Sequence, residues 1–481
     1  MQVGPLILYS ALVGALSGAA VAGFSWLLRT LQGFFMGNVL GYLPPGLVSE
    51  GGLNQVFAGP RHWLVVLLLP AVFVLASYLG TGRGLAWLLQ AYREGRAIGF
   101  IEFIRGIFAS LVQLSAGSPL GREGPMVAIG HWLGASVGRR FPLGGAGRYL
   151  PFAGIAAGFA AAFHAPVAGA LLASEILFRG LVLEVTALAP ALIGALAGFT
   201  VYGALIGYQP LLELPSATIS WAQLAFGLLI GLLASGIGTL WLEGSRILGG
   251  LLLQLPFPLR HGLLGLALAL ALVFLPEALG DGLAWVQLGL SPILGLEFLA
   301  IAFLARFAIL VLAGGVRAYG GYLTPAITMG GLLGLILSLA VPSFAPPVEI
   351  TTLAGMCALL AGVARAPFAA VVLAGEMGSY SQLPLVLPAV FVAYALTSAQ
   401  TYPDELPLPL EEPPVPADTL PAGEAPQRTA DGLSPAHTPA AEGPRFESAL
   451  QTSPPLPDPA EPGSPEKPRE SIPSDKKPGT T

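Results

Sequence analysis

The sequence predicts an all-α polytopic membrane protein made of two related halves, and three observations predict it. Apolar runs recur from residue 6 to about residue 400, in a chain that is 54% hydrophobic and 10% charged with a mean hydropathy of +0.74. Runs of that length and frequency are what a bilayer requires of spanning helices. The first 400 residues contain no lysine. A pattern of Gly, Pro and Glu recurs about 200 positions apart, which apolar similarity alone does not readily produce.

Charge divides the chain into two unlike parts. Up to residue 400 there are 16 Arg and 13 acidic residues, a net of +3; the remainder has 6 basic and 14 acidic residues, a net of −8. Cys357, the one cysteine, excludes an intrachain disulfide and any multi-cysteine metal or iron–sulfur site. Five histidines without metalloprotease spacing, no phosphate-binding or dinucleotide loop and no Ser-His-Asp set argue against an enzyme and against a cofactor. Basic residues are too few and too scattered to bind nucleic acid.

The first span covers residues 5–35; without a cationic leader and a cleavage site it reads as a retained helix. Residues 41–60, with Pro44, Pro45, Gly51 and Gly52, form a loop in which Glu50 faces water. A second span, 62–78, leads to Gly80-Thr81-Gly82-Arg83-Gly84. Its glycines bare the backbone beside the Thr81 hydroxyl, although a plain turn at a membrane edge reads the same way locally. Residues 85–98 are polar and belong at an aqueous face.

A helix over 98–114 precedes the glycine-rich stretch 120–130, and the next helix runs to about 137, with Arg139 and Arg140 at an interface. Residues 150–163 are dominated by Ala and Gly, the composition of closely packed membrane helices. His164-Ala165-Pro166 then opens an apolar helix containing Glu175. Long apolar segments follow at about 186–208, 221–240, 261–275 and 295–315; 209–219 and 276–294 are loops or short surface helices. Twenty of the 44 prolines fall in 401–481, so residues 406–481 are an acidic, Pro-rich tail expected to be disordered, whether a tether, a recognition segment or plain low-complexity sequence. Residues 1–405 form the membrane domain, with repeat halves at about 60–208 and 221–400.

The stretch 120–130 carries the chemistry. Arg122 and Glu123 lie side by side at the start of an apolar helix, where ionic groups are costly. Gly121 and Gly124 uncover the backbone so that several amides can face one small ligand, and Pro125 suits a first helical turn. Such a helix start attracts anions. The competing reading is a loop entering a helix with a solvated Arg–Glu pair. The second half weighs against it: Gly121, Pro125, Gly130 and Gly134 recur as Gly321, Pro325, Gly330 and Gly334. Further on, Ala165-Pro166 recurs as Ala366-Pro367 and Glu175 as Glu376. Duplicated halves with glycine-broken helices build ion sites in many transporters, and amides from two helix starts suit an anion. A cation pathway would present carboxylates and carbonyls.

Over residues 5–405 the sequence resembles the chloride channels and chloride/proton antiporters of the CLC family. Gly121-Arg122-Glu123-Gly124-Pro125 reproduces that family's GREGP motif; Gly321-Tyr322-Leu323-Thr324-Pro325 fits its GxFxP motif with leucine for phenylalanine. The segments ending in Phe163-His164-Ala165-Pro166 and running from Arg365 to Met377 are also similar. The resemblance implies a CLC-type fold with two inverted-topology repeats and broken or re-entrant helices. It implies chloride transport, voltage- or pH-gated, through a pore in each subunit of a homodimer in the cell inner membrane, without regulatory nucleotide-binding domains.

By the same resemblance Glu123 is the gating glutamate, with Arg122 and Gly124 beside it, and Tyr322 and Leu323 supply amides to bound chloride. Thr81 stands for the serine of the family's GSGIP motif, from which Arg83 and Gly84 depart, and Tyr402 for the inner-gate tyrosine. The antiporters' inner glutamate falls on Ile176, next to Glu175, so proton coupling and uncoupled conduction both stay open, as does exchange of another halide or nitrate. Glu175 is a candidate inner-side acid, yet its partner Glu376 suggests a helix brace. Exposed apolar helices near 180–205 and 390–400 are candidates for the dimer face.

Overall fold

In the computed structural model residues 3–47, 56–57, 59, 62–80, 88, 97–141, 144–176, 185–212, 214, 223–291 and 293–398 are described. They lie in a compact unit spanning Met1–Gly423; the second unit, Glu424–Thr481, falls wholly outside them, as do Thr81, Arg83 and Tyr402. The polar stretch 85–98 is mostly outside them too.

Fifteen α-helices occupy the described residues. In the first half they are α1 (Val3–Gln32), α2 (His62–Leu79), α3 (Phe100–Ser115), α4 (Glu123–Arg140), α5 (Leu150–Phe163), α6 (Pro166–Glu175) and α7 (Val185–Ile206). In the second they are α8 (Leu224–Leu252), α9 (Phe257–Phe274), α10 (Leu283–Gly289), α11 (Leu296–Val316), α12 (Leu323–Ala340), α13 (Val348–Ala364), α14 (Pro367–Met377) and α15 (Leu383–Leu396). The only sheet among the described residues is a two-residue ladder pairing Tyr42 with Phe57 and Leu43 with Val56.

Among the described residues seven helical stretches are long and apolar enough to cross a membrane. Their outer faces carry large apolar side chains, among them Leu8, Trp26, Leu67, Phe274 and Leu304, whereas Glu123, Glu175 and Arg306 are buried. This inverts the usual distribution of a water-soluble chain and suits an apolar solvent.

The packing repeats as the sequence does. Helix α1 packs on α7 and α5 as α8 packs on α15 and α13; α4 packs on α5 as α12 packs on α13. The first half, expected from about residue 60, therefore has the counterpart of α8 in α1. Across the halves α2 meets α9 and α6 meets α14.

The glycine anchors have a steric cause. A Cβ on Gly130 would stand 1.9 Å from the Gly154 carbonyl oxygen, and one on Gly330 2.1 Å from that of Gly355. The next anchors are as tight, with Gly134 against Leu150 and Gly334 against Thr351. No larger residue allows these backbones to cross so closely. The ends of α5 and α13 also match. His164 and Arg365, at φ 53° and 58°, take the left-handed conformation that closes a helix, and Pro166 and Pro367 start the next one. Such φ values are uncommon outside glycine. Each residue is held by a tertiary contact: His164 Nδ1 lies 2.6 Å from the Gln209 carbonyl oxygen, and Arg365 donates to the Tyr394 carbonyl oxygen while stacking over that ring.

Two elements depart from expectation. Helix α8 runs twelve residues past the predicted end at 240; Glu243 and Arg246, paired at 2.8 Å one turn apart, support the added turns. Within 276–294, α10 is not a surface helix: Leu283, Ala284, Trp285 and Val286 are buried, with Val286 against Gly331 of α12.

Candidate functional site

Helices α4 and α12 begin at one place. The two glycines before them form an antiparallel bridge, Gly121 N donating to the Gly321 carbonyl at 2.8 Å and Gly321 N to the Gly121 carbonyl at 2.7 Å. A Cβ on either would fall within 2.1 Å of a Glu123 carboxylate oxygen, so a larger residue at either position would displace that side chain. Gly124, the third glycine, has no room either: a Cβ there would approach the Gly320 and Gly321 backbone at 2.9–3.1 Å.

The Glu123 side chain is fully buried and reaches from the start of α4 to the start of α12. Its Oε1 accepts from the amides of Leu323 (2.8 Å) and Thr324 (3.0 Å), and its Oε2 accepts from the Thr324 hydroxyl (2.6 Å). The residue before α12, Tyr322, makes no side-chain cap, so the first-turn amides are capped by a carboxylate 200 positions away. Amides at a helix start carry about half a positive charge. Three converging donors in a dry interior form a place for one negative charge, which the carboxylate occupies.

The sequence-derived residues are brought together in part. Arg122 and Gly124 are buried on either side of Glu123, and Leu323 donates to it. Tyr322 lies one residue before the two amides that reach the carboxylate, so the pair engaged here is Leu323 and Thr324. Sequence reading missed Thr324, which stands at a variable position of the second motif. The hydroxyl in an otherwise apolar helix start was its one visible signal. Thr81 and Tyr402 lie outside the described residues.

Glu175, the candidate inner-side acid, reaches from the end of α6 to the start of α14. Its Oε1 and Oε2 accept from the amides of Phe368 (3.0 Å) and Ala369 (2.7 Å) at the start of α14. Glu376 does the converse, accepting from Val167 (3.0 Å) and Ala168 (2.7 Å) at the start of α6. Neither helix has a side-chain cap of its own. Each of these short helices is thus closed by the acid at the end of the other, the bracing role that their repeat positions suggest. Ile176, the next residue, is a buried aliphatic without a titratable group.

The chain is similar to several known proteins. Residues 64–398 match the family model described as "Voltage gated chloride channel". The voltage-gated ClC-type chloride channel ClcB of Salmonella typhimurium is 29% identical over 416 residues, covering 81% of this chain and 95% of that protein. ClcB of Escherichia coli O81 is 28% identical over 415 residues, with the same coverage. Among solved structures, a slow cyanobacterial Cl−/H+ antiporter superposes with a TM-score of 0.72 at 22% identity, over 84% of this chain and 96% of that one. A CLC-type fluoride/proton antiporter gives 0.70 at 24% identity, over 83% and 98%. With paired helix starts, repeated halves and a family match over most of its length, the chain belongs to the voltage gated chloride channel family.

Proposed function

We propose that this protein carries chloride across a membrane, along a path within each chain that passes the joined starts of α4 and α12. The observation that carries the reading is the Glu123 carboxylate seated on the amides of Leu323 and Thr324 and on the Thr324 hydroxyl. Those donors suit an anion once the side chain leaves, so Glu123 is gate and competitor together. Arg122 adds positive charge to the approach, and Gly124, Tyr322 and Leu323 offer backbone where a dehydrated ion needs donors. Thr81 and Tyr402 are assigned to the same path by motif. Chloride is the substrate suggested by the relatives' names.

The protein acts as a transporter, with no resident cofactor beyond bound anions. The inner membrane is its proposed location and a homodimer its proposed assembly. Supporting the dimer, Leu196 and Leu205 of α7 and Phe391 and Leu396 of α15 expose apolar side chains. Residues 1–405 are the transport domain and 406–481 an appended tail.

Proton counter-transport is the second reading, and one observation favours it. The group filling the anion's place is itself a proton acceptor, so its departure on protonation can move one proton for the anions that replace it. Against it, Ile176 offers no relay. Purified protein in liposomes tests both readings. Chloride efflux is expected, and its absence, or sodium flux exceeding it, defeats the proposal. A reversal potential that follows the chloride gradient at every pH gradient makes the protein an uncoupled channel; a shift with the pH gradient makes it an exchanger.

A further inference from the structure

We propose that Tyr319 is a positioning residue for anion selection, whose phenol ring sets the separation between Gly80, at the end of α2, and the start of α12. The inference rests on the anion pathway proposed above and extends it to a residue that neither motif contains.

Tyr319 is 2% exposed and lies two residues before the Gly121–Gly321 bridge. Its ring ends on Gly80: a Cβ at that position would stand 2.2 Å from the Tyr319 Cζ and 2.4 Å from its hydroxyl oxygen. Gly80 closes α2, with its amide donating to the Ala76 carbonyl at 3.0 Å, and is the first residue of the segment that continues into Thr81. On the other side the ring meets that of His261 in α9, centroids 5.5 Å apart. Its backbone is fixed as well, the Tyr319 amide donating at 2.9 Å to Oε1 of Gln113, a fully buried residue in the last turn of α3.

These contacts leave the segment from Tyr319 to Thr324 little slack. Gly320 is pressed on Leu120, where a Cβ would come within 2.5 Å of that side chain, and Gly321 is paired with Gly121. Leu323 and Thr324 then present their amides to Glu123. A displacement of the ring is therefore transmitted in two directions, to Gly80 at the end of α2 and to the amides of α12. A residue that merely filled the core would press apolar side chains; this ring abuts the bare backbone of the glycine that ends α2. A dehydrated ion is selected by the placing of a few donors, and donor placement is what the ring holds.

The test is the chloride-to-nitrate flux ratio of purified protein in liposomes, with monodispersity checked for every variant. Tyr319→Leu and Gly80→Ala are each expected to change the ratio by about fivefold or more, since misplacing positioned groups by ~1 Å can change a rate by about a hundredfold. Tyr319→Phe, which keeps the ring, should retain the wild-type ratio, and the double variant Gly80→Ala/Tyr319→Leu should recover part of the Gly80→Ala loss. Where Tyr319→Leu yields no folded protein, Tyr319→Met and Gly80→Ala carry the measurement. Folded variants whose ratios stay within about twofold of wild type overturn the proposal. Wild-type flux separates the claims: flux with an unmoved ratio overturns the role of Tyr319 alone, and no flux in the wild type overturns the pathway and that role together.

Discussion

Thr324 holds Glu123 twice, its amide donating to Oε1 at 3.0 Å and its hydroxyl to Oε2 at 2.6 Å. The carboxylate that closes the start of α12 is thereby fastened by a side chain as well as by the backbone.

Removing the hydroxyl should loosen the gate. Thr324→Val keeps shape and backbone while deleting one hydrogen bond to a charged group, a contribution of about 1.5–3 kcal/mol. Chloride efflux at fixed neutral pH is expected to rise by roughly tenfold if most of that difference falls on the closed state. Efflux equal to or below the wild type would show that the hydroxyl does not hold the gate.

Glu123→Gln should remove the pH dependence of transport without removing transport. On the proposed gating role, lowering pH adds a proton to the native carboxyl, removes the charge that the α12 amides hold and frees the anion's place; flux is therefore expected to rise as pH falls. A glutamine has no proton to gain, so its efflux should be flat across the same pH range. A folded Gln variant with a steep pH profile would place the sensor elsewhere.

Glu175→Gln and Glu376→Gln should cost stability and leave coupling alone. Each acid accepts two amides at 2.7 and 3.0 Å, so neutralising either weakens two charge-assisted bonds at a helix start. A loss of about 1–3 kcal/mol is expected for each, read as a lower unfolding midpoint in detergent. The dependence of reversal potential on pH gradient should match the wild type. Loss of that dependence in Glu175→Gln, with stability unchanged, would restore Glu175 as a proton donor.

Gly130→Ala and Gly330→Ala should each reduce folded protein sharply. The new methyl group meets a carbonyl oxygen at about 2 Å, so the crossing helices must separate; overpacking typically costs about 1–3 kcal/mol even where side chains can yield. Gly236→Ala, where nothing lies within 4 Å, is the matched control and should behave as wild type. Equal yield and thermal stability for all three would show that the crossings tolerate bulk.

Much of this molecule was legible in one dimension because the forces involved are local or act through the solvent. Partition of apolar side chains into a bilayer marks the spans, and the same stereochemistry that puts Pro166 and Pro367 in first helical turns marks where chains restart. The order Gly121, Pro125, Gly130, Gly134 and its recurrence 200 residues on identify two equivalent helix starts and single out Glu123. What no local rule contains is which groups meet. That Glu123 rests on Leu323 and Thr324, that Glu175 and Glu376 close each other's helices, and that Tyr319 ends on Gly80 are relations across 193–239 positions. They arise from the fold of one half against the other. A dry interior requires every buried carboxylate and helix-start amide to find a partner, and only the tertiary arrangement decides which partner is within reach.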